Sequence, residues 1–266
     1  MILINASEQE FYEKNNVANE RNITRFLLAD DSYPGSLFSS LSAARENIRT
    51  SRELLPDEAW EQVNEMFLFA KSNLETVANR RHRVIFLNEI LKGCQRFTGL
   101  LSGYMSHNHP YRFILLGRNI ERADMTSRIL DLASLLLSES RSDELRQYET
   151  ILWMNILKSL NALLMYRQQM RSRVKGDDVL NFLLLDTNLP RSVGCCIAEI
   201  SNSISKLPNN DDLTLKLIEL QTFVQSIDTR QTTQKQLRTI LDGLQNKLGE
   251  LHGQIADNWF LRTTVE

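Results

Sequence analysis

Two segments of this chain repeat one another, and that repeat limits the possible folds more than any other feature. Ile23 to Leu37 reads ITRFLLADDSYPGSL, and Val179 to Val193 reads VLNFLLLDTNLPRSV. Phe26, Asp30, Pro34 and Ser36 match Phe182, Asp186, Pro190 and Ser192 at a single offset of 156 residues. Each segment reads as an apolar helix closed by Asp, then a turn, then a second helix opened by Pro, whose fixed φ suits a first helical turn. A motif of this kind used twice in register implies two related halves that reuse one supersecondary unit.

Composition extends that reading to the whole chain. Of 266 residues only ten are Gly and five Pro, and 42% are apolar, a scarcity of breakers that favours helix throughout. The expected fold is all-α, a multi-helix bundle of two pseudo-symmetric halves, about residues 1–110 and 111–266 of a single domain. The 3.6-residue period marks roughly eight to eleven helices. A capping box at Ser7 and Glu10 opens the first, a second covers about Ala18 to Ala29, and Pro34 starts a third with the stripe Leu37, Leu41, Ala44, Ile48 and Leu55. After Pro56 comes a helix carrying Trp60, Val63, Phe67 and Leu74, then a polar connection at Asn79 to Arg83. Long helices follow at Val84 to Met105 and Tyr111 to Ser138. A strongly helical stretch covers Asp143 to Ser172, with Leu152, Ile156, Leu160, Leu163 and Leu164 facing inward. Beyond Lys175 to Asp178 the pattern predicts helices at about Val179 to Asp186, Pro190 to Lys206, Leu213 to Asp228 and Gln231 to Phe260.

The same numbers remove several functional classes. A formal charge of −2 argues against bulk nucleic-acid binding, which relies on a basic face to displace counterions. MILINASEQE lacks the basic and apolar regions of a signal peptide, and no apolar run is long enough to span a bilayer, so a cytoplasmic protein that does not enter membranes is expected. The odd cysteine count, with Cys195 beside Cys196 and Cys94 alone, suggests buried thiols rather than a disulfide framework. His107 and His109 flank a turn without acidic or Cys companions at ligand spacing, so no metal site is expected. Gly-rich phosphate loops, CxxC pairs and nucleophile elbows do not occur. Gly99 and Gly103 are expected to permit close helix contact.

Charge carries the remaining information. Leu116 to Asp131 reads LGRNIERADMTSRILD. On a helical wheel Glu121 and Arg128 share azimuth with Ile114, Met125 and Leu132, which would bring charge toward the core, where it needs partners. Arg118, Glu121 and Arg122 stand at i, i+3 and i+4, and Asp124 reaches Arg128 at i+4. A second cluster, Ala43 to Glu53, places Arg45, Arg49 and Arg52 on one face with Glu46 between them. Three guanidiniums so placed repel unless anions meet them. Internal carboxylates, Glu121 and Asp124 across a helix interface, are one answer, and a carboxylate or phosphate on a ligand is the other. Arg191 and Ser192, at a helix start after Pro190, offer a further anion-favouring end, although ordinary helix initiation explains them equally.

LGRNIERADMTSRILD, AARENIR at 43 to 49 and FLLLDTNLPRSV at 182 to 193 together resemble the Alpha-E family, an all-helical bacterial domain with a Glu-Arg motif. The resemblance spans most of the chain and marks Glu121 and Arg122 as the signature pair. It implies a protein encoded beside ATP-grasp amidoligase-like and transglutaminase-like proteins, and so a role in peptide or amide-bond modification. It supplies no cofactor and no catalytic residue. The expected function is an accessory or binding module of such a system, with those proteins as partners. Alternatives are an enzyme that uses Glu121 or Asp124 as general base with Arg45, Arg49 or Arg122 clamping an anion, or a purely structural interaction protein. The family pattern includes an earlier Glu-Arg helix. At the repeat offset the partner of Glu121 falls before Met1, so a first half lacking its opening helix, with apolar surface left for another chain or for a homo-oligomer, is expected.

Overall fold

The computed structural model of the chain describes residues 8–138 and 145–261. Among these the fold is all-α, with twelve α-helices and one 3-10 turn. No described helix is long and apolar enough to cross a membrane. Two compact units divide the chain, Met1–Tyr111 and Arg112–Glu266.

The first unit contains α1 (Glu8–Lys14), α2 (Glu20–Ala29), α3 (Leu37–Thr50), a 3-10 turn (Arg52–Leu54), α4 (Asp57–Asn73) and α5 (Arg80–Tyr104). Phe11 of α1, Phe26 of α2 and Tyr33 form a small aromatic core. Phe26 meets Phe11 edge-on at 5.3 Å and stacks on Tyr33 at 4.2 Å. A larger core joins Leu41 and Ile48 of α3 to Val63, Met66 and Ala70 of α4 and to Phe86 and Ile90 of α5. Gly93 makes the α4–α5 contact possible, because a Cβ there would lie 2.3 Å from the Met66 sulfur.

The second unit begins in the first turn of α6 (His109–Ser138), where Pro110 fits, and continues through α7 (Leu145–Ser159), α8 (Leu163–Met170), α9 (Gly176–Leu185), α10 (Val193–Ile204), α11 (Asp211–Gln225) and α12 (Gln234–Trp259). One continuous core fills it, from Leu116, Ala123 and Leu130 of α6 through Phe182 and Leu183 of α9 to Leu241, Leu244 and Leu248 of α12.

Helix starts follow nearly the same offset beyond the four identities. Shifted by 156 residues, α1, α2, α3, α4 and α5 begin at 164, 176, 193, 213 and 236, while α8 to α12 begin at 163, 176, 193, 211 and 234. The turn itself is the same structure twice. Asp30 Oδ1 accepts from the backbone N–H groups of Ser32 (2.9 Å) and Tyr33 (3.1 Å), and Asp186 Oδ1 accepts from those of Asn188 (2.8 Å) and Leu189 (2.7 Å). Ser36 then caps α3 by accepting from Ser39 N, as Ser192 caps α10 by accepting from Cys195 N. Even the cap dihedrals agree, −72° and 155° against −72° and 150°.

Several expectations need correction. Pro34 and Pro190 do not open helices; each sits in the turn two residues before a serine that does, because the serine hydroxyl satisfies an orphan N–H and proline cannot. Asn79 to Arg83 is no connection. Asn79 accepts from Arg81 N and His82 N, so α5 starts at Arg80. The stretch to Ser172 is two helices, broken where Asn161 adopts a left-handed φ of 53°; the break turns Leu164 outward, and it is exposed. Gly99 and Gly103 face open space, so neither mediates helix contact. Ser7 and Asp143 lie outside the described residues.

Candidate functional site

The site is built from α6 upward. Apolar residues are spread around this helix, and its buried side is completed by small and polar groups that satisfy themselves on backbone. Asn119 Nδ2 donates to Leu115 O (2.9 Å), Ser127 Oγ to Asp124 O (2.7 Å) and Ser134 Oγ to Asp131 O (2.9 Å). Alongside Asn119 and Ser127, Leu116, Ala123 and Leu130 point into the core. Glu121 therefore lies on the other side, exposed with Gly117 and Met125, and the expectation that it carries charge into the core is wrong. Arg118, Arg122, Asp124 and Arg128 are half-buried. Arg128 Nε donates to Asp124 Oδ2 at 2.6 Å, a partly exposed i,i+4 pair. Such a pair contributes some tenths of a kcal/mol and is not a buried network that fixes register.

The next turn of α6 reaches the repeated Asp turn of its own unit. Thr126, 1% exposed, donates its hydroxyl to the carbonyl oxygen of Arg191 at 2.9 Å. That bond fastens the turn between α9 and α10 to the helix that carries the Glu-Arg pair. Arg191 has a lowered pKa, first because it is partly buried and second because the positive charge of Arg122 acts on it. Among the described residues neither guanidinium has a hydrogen bond or an ion pair. Two cations thus share a partly desolvated patch beside the start of α10, where the helix dipole also favours negative charge. Cys195 and Cys196 stand next to them. Burial pushes the Cys196 thiol up to about 12, with a second contribution from Cys195, while Arg122 and Arg191 pull the other way. A thiol held so high stays protonated and is a packing group rather than a nucleophile.

The arginines of α3 find partners inside their own unit. Arg45 Nε donates to Asn64 Oδ1 at 2.7 Å, and its guanidinium lies 5.1 Å from the Trp60 ring and 5.0 Å from Phe67. Arg52 lies 4.6 Å from the same Trp60. Arg49 is an exposed bidentate partner of Glu46, whose carboxyl it holds below the usual range. Aromatic faces and one neighbouring carboxylate thus answer the repulsion that suggested Glu121 and Asp124 as partners. Trp60 and Asn64 also line a wide surface groove with Leu68, Phe69 and Ser72. His107 is stacked on Tyr111 with centroids 4.1 Å apart. Among the described residues no three His, Cys, Asp or Glu side chains come together as a metal would require.

Of the residues singled out by sequence, Arg122, Arg191 and Ser192 come together; Arg45, Glu46, Arg49 and Arg52 form a separate cluster; Arg128 and Asp124 pair with each other. Thr126 was missed; Cys195 and Cys196 were expected as buried thiols, which holds for Cys196 while Cys195 is half-buried and Cys94 exposed, but their place beside the arginines was not foreseen. The only available signal for the cysteines was their place directly after the repeated serine cap, and Thr126 had none, since its role comes from tertiary packing.

Comparison with curated proteins and with solved structures gives no match. A family model does match, over residues 1–260, and describes a predicted alpha-helical domain with a conserved ER motif. With a helical fold throughout, Glu121 and Arg122 adjacent on α6, and a match across nearly the whole length, the chain belongs to the Alpha-E family.

Proposed function

We propose that this protein is a binding module that recognises an anionic group, a carboxylate or phosphate on a peptide, in an amidoligase-type modification system with ATP-grasp-like and transglutaminase-like partners. One observation supports the anion reading: Arg122 and Arg191 lie close enough for one to depress the pKa of the other, and among the described residues neither guanidinium has a neutralising partner. A protein gains nothing in stability from holding two unpaired cations together in a half-buried patch. An anion with two acceptor oxygens removes that penalty and is bound in consequence. Catalysis by Glu121 or Asp124 has weaker support, because Glu121 is open to water and Asp124 is already held by Arg128.

Calorimetric titration with a short poly-glutamate peptide and with pyrophosphate tests the reading. The wild type binds at least one of them, and Arg122→Gln with Arg191→Gln abolishes binding while leaving the unliganded melting temperature equal or higher, since a repulsion has gone. Equal binding by the double variant, or a marked loss of stability in it, would show that the two arginines serve the fold instead.

A further inference from the structure

The last long helices of the two units differ in how their apolar residues are covered. In the second unit the long last helix α12 is covered on its apolar side. Leu241, Leu244 and Leu248 are buried in one cluster with Leu116, Ala123 and Leu130 of α6. The two helices run antiparallel: Phe113, early in α6, meets Trp259 at the end of α12 with ring centroids 5.4 Å apart, and Asp131, late in α6, accepts from Arg238 Nε near its start at 3.3 Å. Among the described residues none of the large exposed apolar side chains lies on α12.

The counterpart in the first unit is α5, two residues out of register with α12 at the repeat offset. Its buried side, Phe86, Ile90 and Gly93, packs on α4. About 110° around the helix a second stripe runs through Val84, Leu87, Leu91 and Cys94, spaced by three and four residues like the seam of a two-helix contact. This stripe is open: Val84 is 54% exposed, Leu87 39% and Leu91 46%. Isolated exposed leucines need no explanation, but three large apolar residues on one face within eight positions of a helix form a contiguous patch. Arg80 and Arg81, both exposed, put positive charge at its N-terminal end, where Arg238 sits on α12.

We propose that the α5 stripe is a docking groove for an amphipathic helix of the α6 kind, supplied by a partner chain and laid antiparallel along it. The occupant carries apolar residues at spacings of three and four and an acidic residue toward its C-terminal end, facing Arg80 and Arg81 as Asp131 faces Arg238. The correspondence of the two long helices suggests this chemistry, since α12 has such a helix along it while the α5 stripe is left exposed.

The experiment uses the whole protein and a fluorescein-labelled peptide with the α6 sequence from Tyr111 to Ala133, read by fluorescence anisotropy. Saturable binding on the order of micromolar Kd is expected, weakened about tenfold or more by Leu87→Glu with Leu91→Glu and by Arg80→Glu with Arg81→Glu. All four positions are exposed, so melting temperatures should stay within a few degrees of wild type; single Leu91→Arg provides a milder second probe of the same face. A composition-matched scrambled peptide should not bind. Absence of binding, or binding that neither pair of variants weakens, overturns the proposal. So does a wild-type dimer that the glutamates split and the peptide fails to displace, which would make a second copy of α5 the occupant.

Discussion

Asp186→Ala removes the acceptor on which the second repeated turn is built. Its Oδ1 takes two backbone N–H groups, those of Asn188 and Leu189, and its Oδ2 takes the amide of Gln169 at 3.0 Å. These bonds are not equivalent. Asn188 and Gln169 are exposed, so water replaces what they lose. Leu189 is 6% exposed, and its stranded N–H carries the desolvation cost of an unmade hydrogen bond, about 1–3 kcal/mol. Asp186→Asn keeps an acceptor oxygen in place and should cost less than about 1 kcal/mol. Urea unfolding followed by tryptophan fluorescence gives both values, because Trp153 and Trp259 lie in the second unit, and replacing Trp60 by Phe silences the first. Asp30→Ala, followed through Trp60, should show a comparable loss plus the small worth of the Lys14 pair. If the alanine variant loses less than about 0.5 kcal/mol, or asparagine and alanine cost the same, the turn is held by something other than this carboxylate.

Glycines separate by what surrounds them. Gly194→Ala would place a Cβ 2.9 Å from the carbonyl oxygen of Leu185, a backbone atom that cannot move cheaply, and should destabilise by about 1–3 kcal/mol in thermal or urea melts. Gly99→Ala, with open space around it on an exposed helix face, should stabilise by about 0.5–1 kcal/mol. Cys196 makes stability fall with alkali. Its thiol titrates near 9 when unfolded and near about 12 when folded, so above pH 9 the unfolded chain binds fewer protons than the native one. Stability should drop by about 1.4 kcal/mol per pH unit until the folded thiol ionises. Cys196→Ala should flatten that slope between pH 9 and 11, and an unchanged slope would assign it to another group. In the native protein a thiol reagent should modify exposed Cys94 and leave Cys196 untouched until unfolding.

The order of helices was legible because it depends on what sequence encodes locally: the period of apolar residues, the scarcity of Gly and Pro, and serine, threonine and asparagine at helix starts. The repeat was legible from four identities, and its extension to five helices needed only the helix boundaries. What was not legible depended on tertiary context. Nothing nearby announces that Asn161 will turn left-handed, since asparagine is also an acceptable helix residue. On a helical wheel Ile114, Met125 and Leu132 mark the apolar stripe of α6, whereas the helix packs on Ala123, Ser127 and Ser134; the two serines, whose hydroxyls bond to their own backbone, count as polar in a pattern while being buried in fact. That error placed Glu121 inside. The arginines of α3 were correctly seen to need partners. Carboxylates were the obvious candidates, but aromatic rings of α4 serve two of the three.

The hydroxyl of Thr126 fixes a distance as well as a contact. It holds the main chain of Arg191 against the helix that carries Arg122, so the backbones from which the two positive charges extend are tied together by a neutral group belonging to neither. If the pair binds an anion as proposed, it acts as a gauge: an anion that bridges it would be selected by the span between its oxygens, and one too narrow or too wide would meet only half of the charge. Thr126→Val keeps the shape and both arginines but lets the gap vary, so it should blur discrimination between anions of different width.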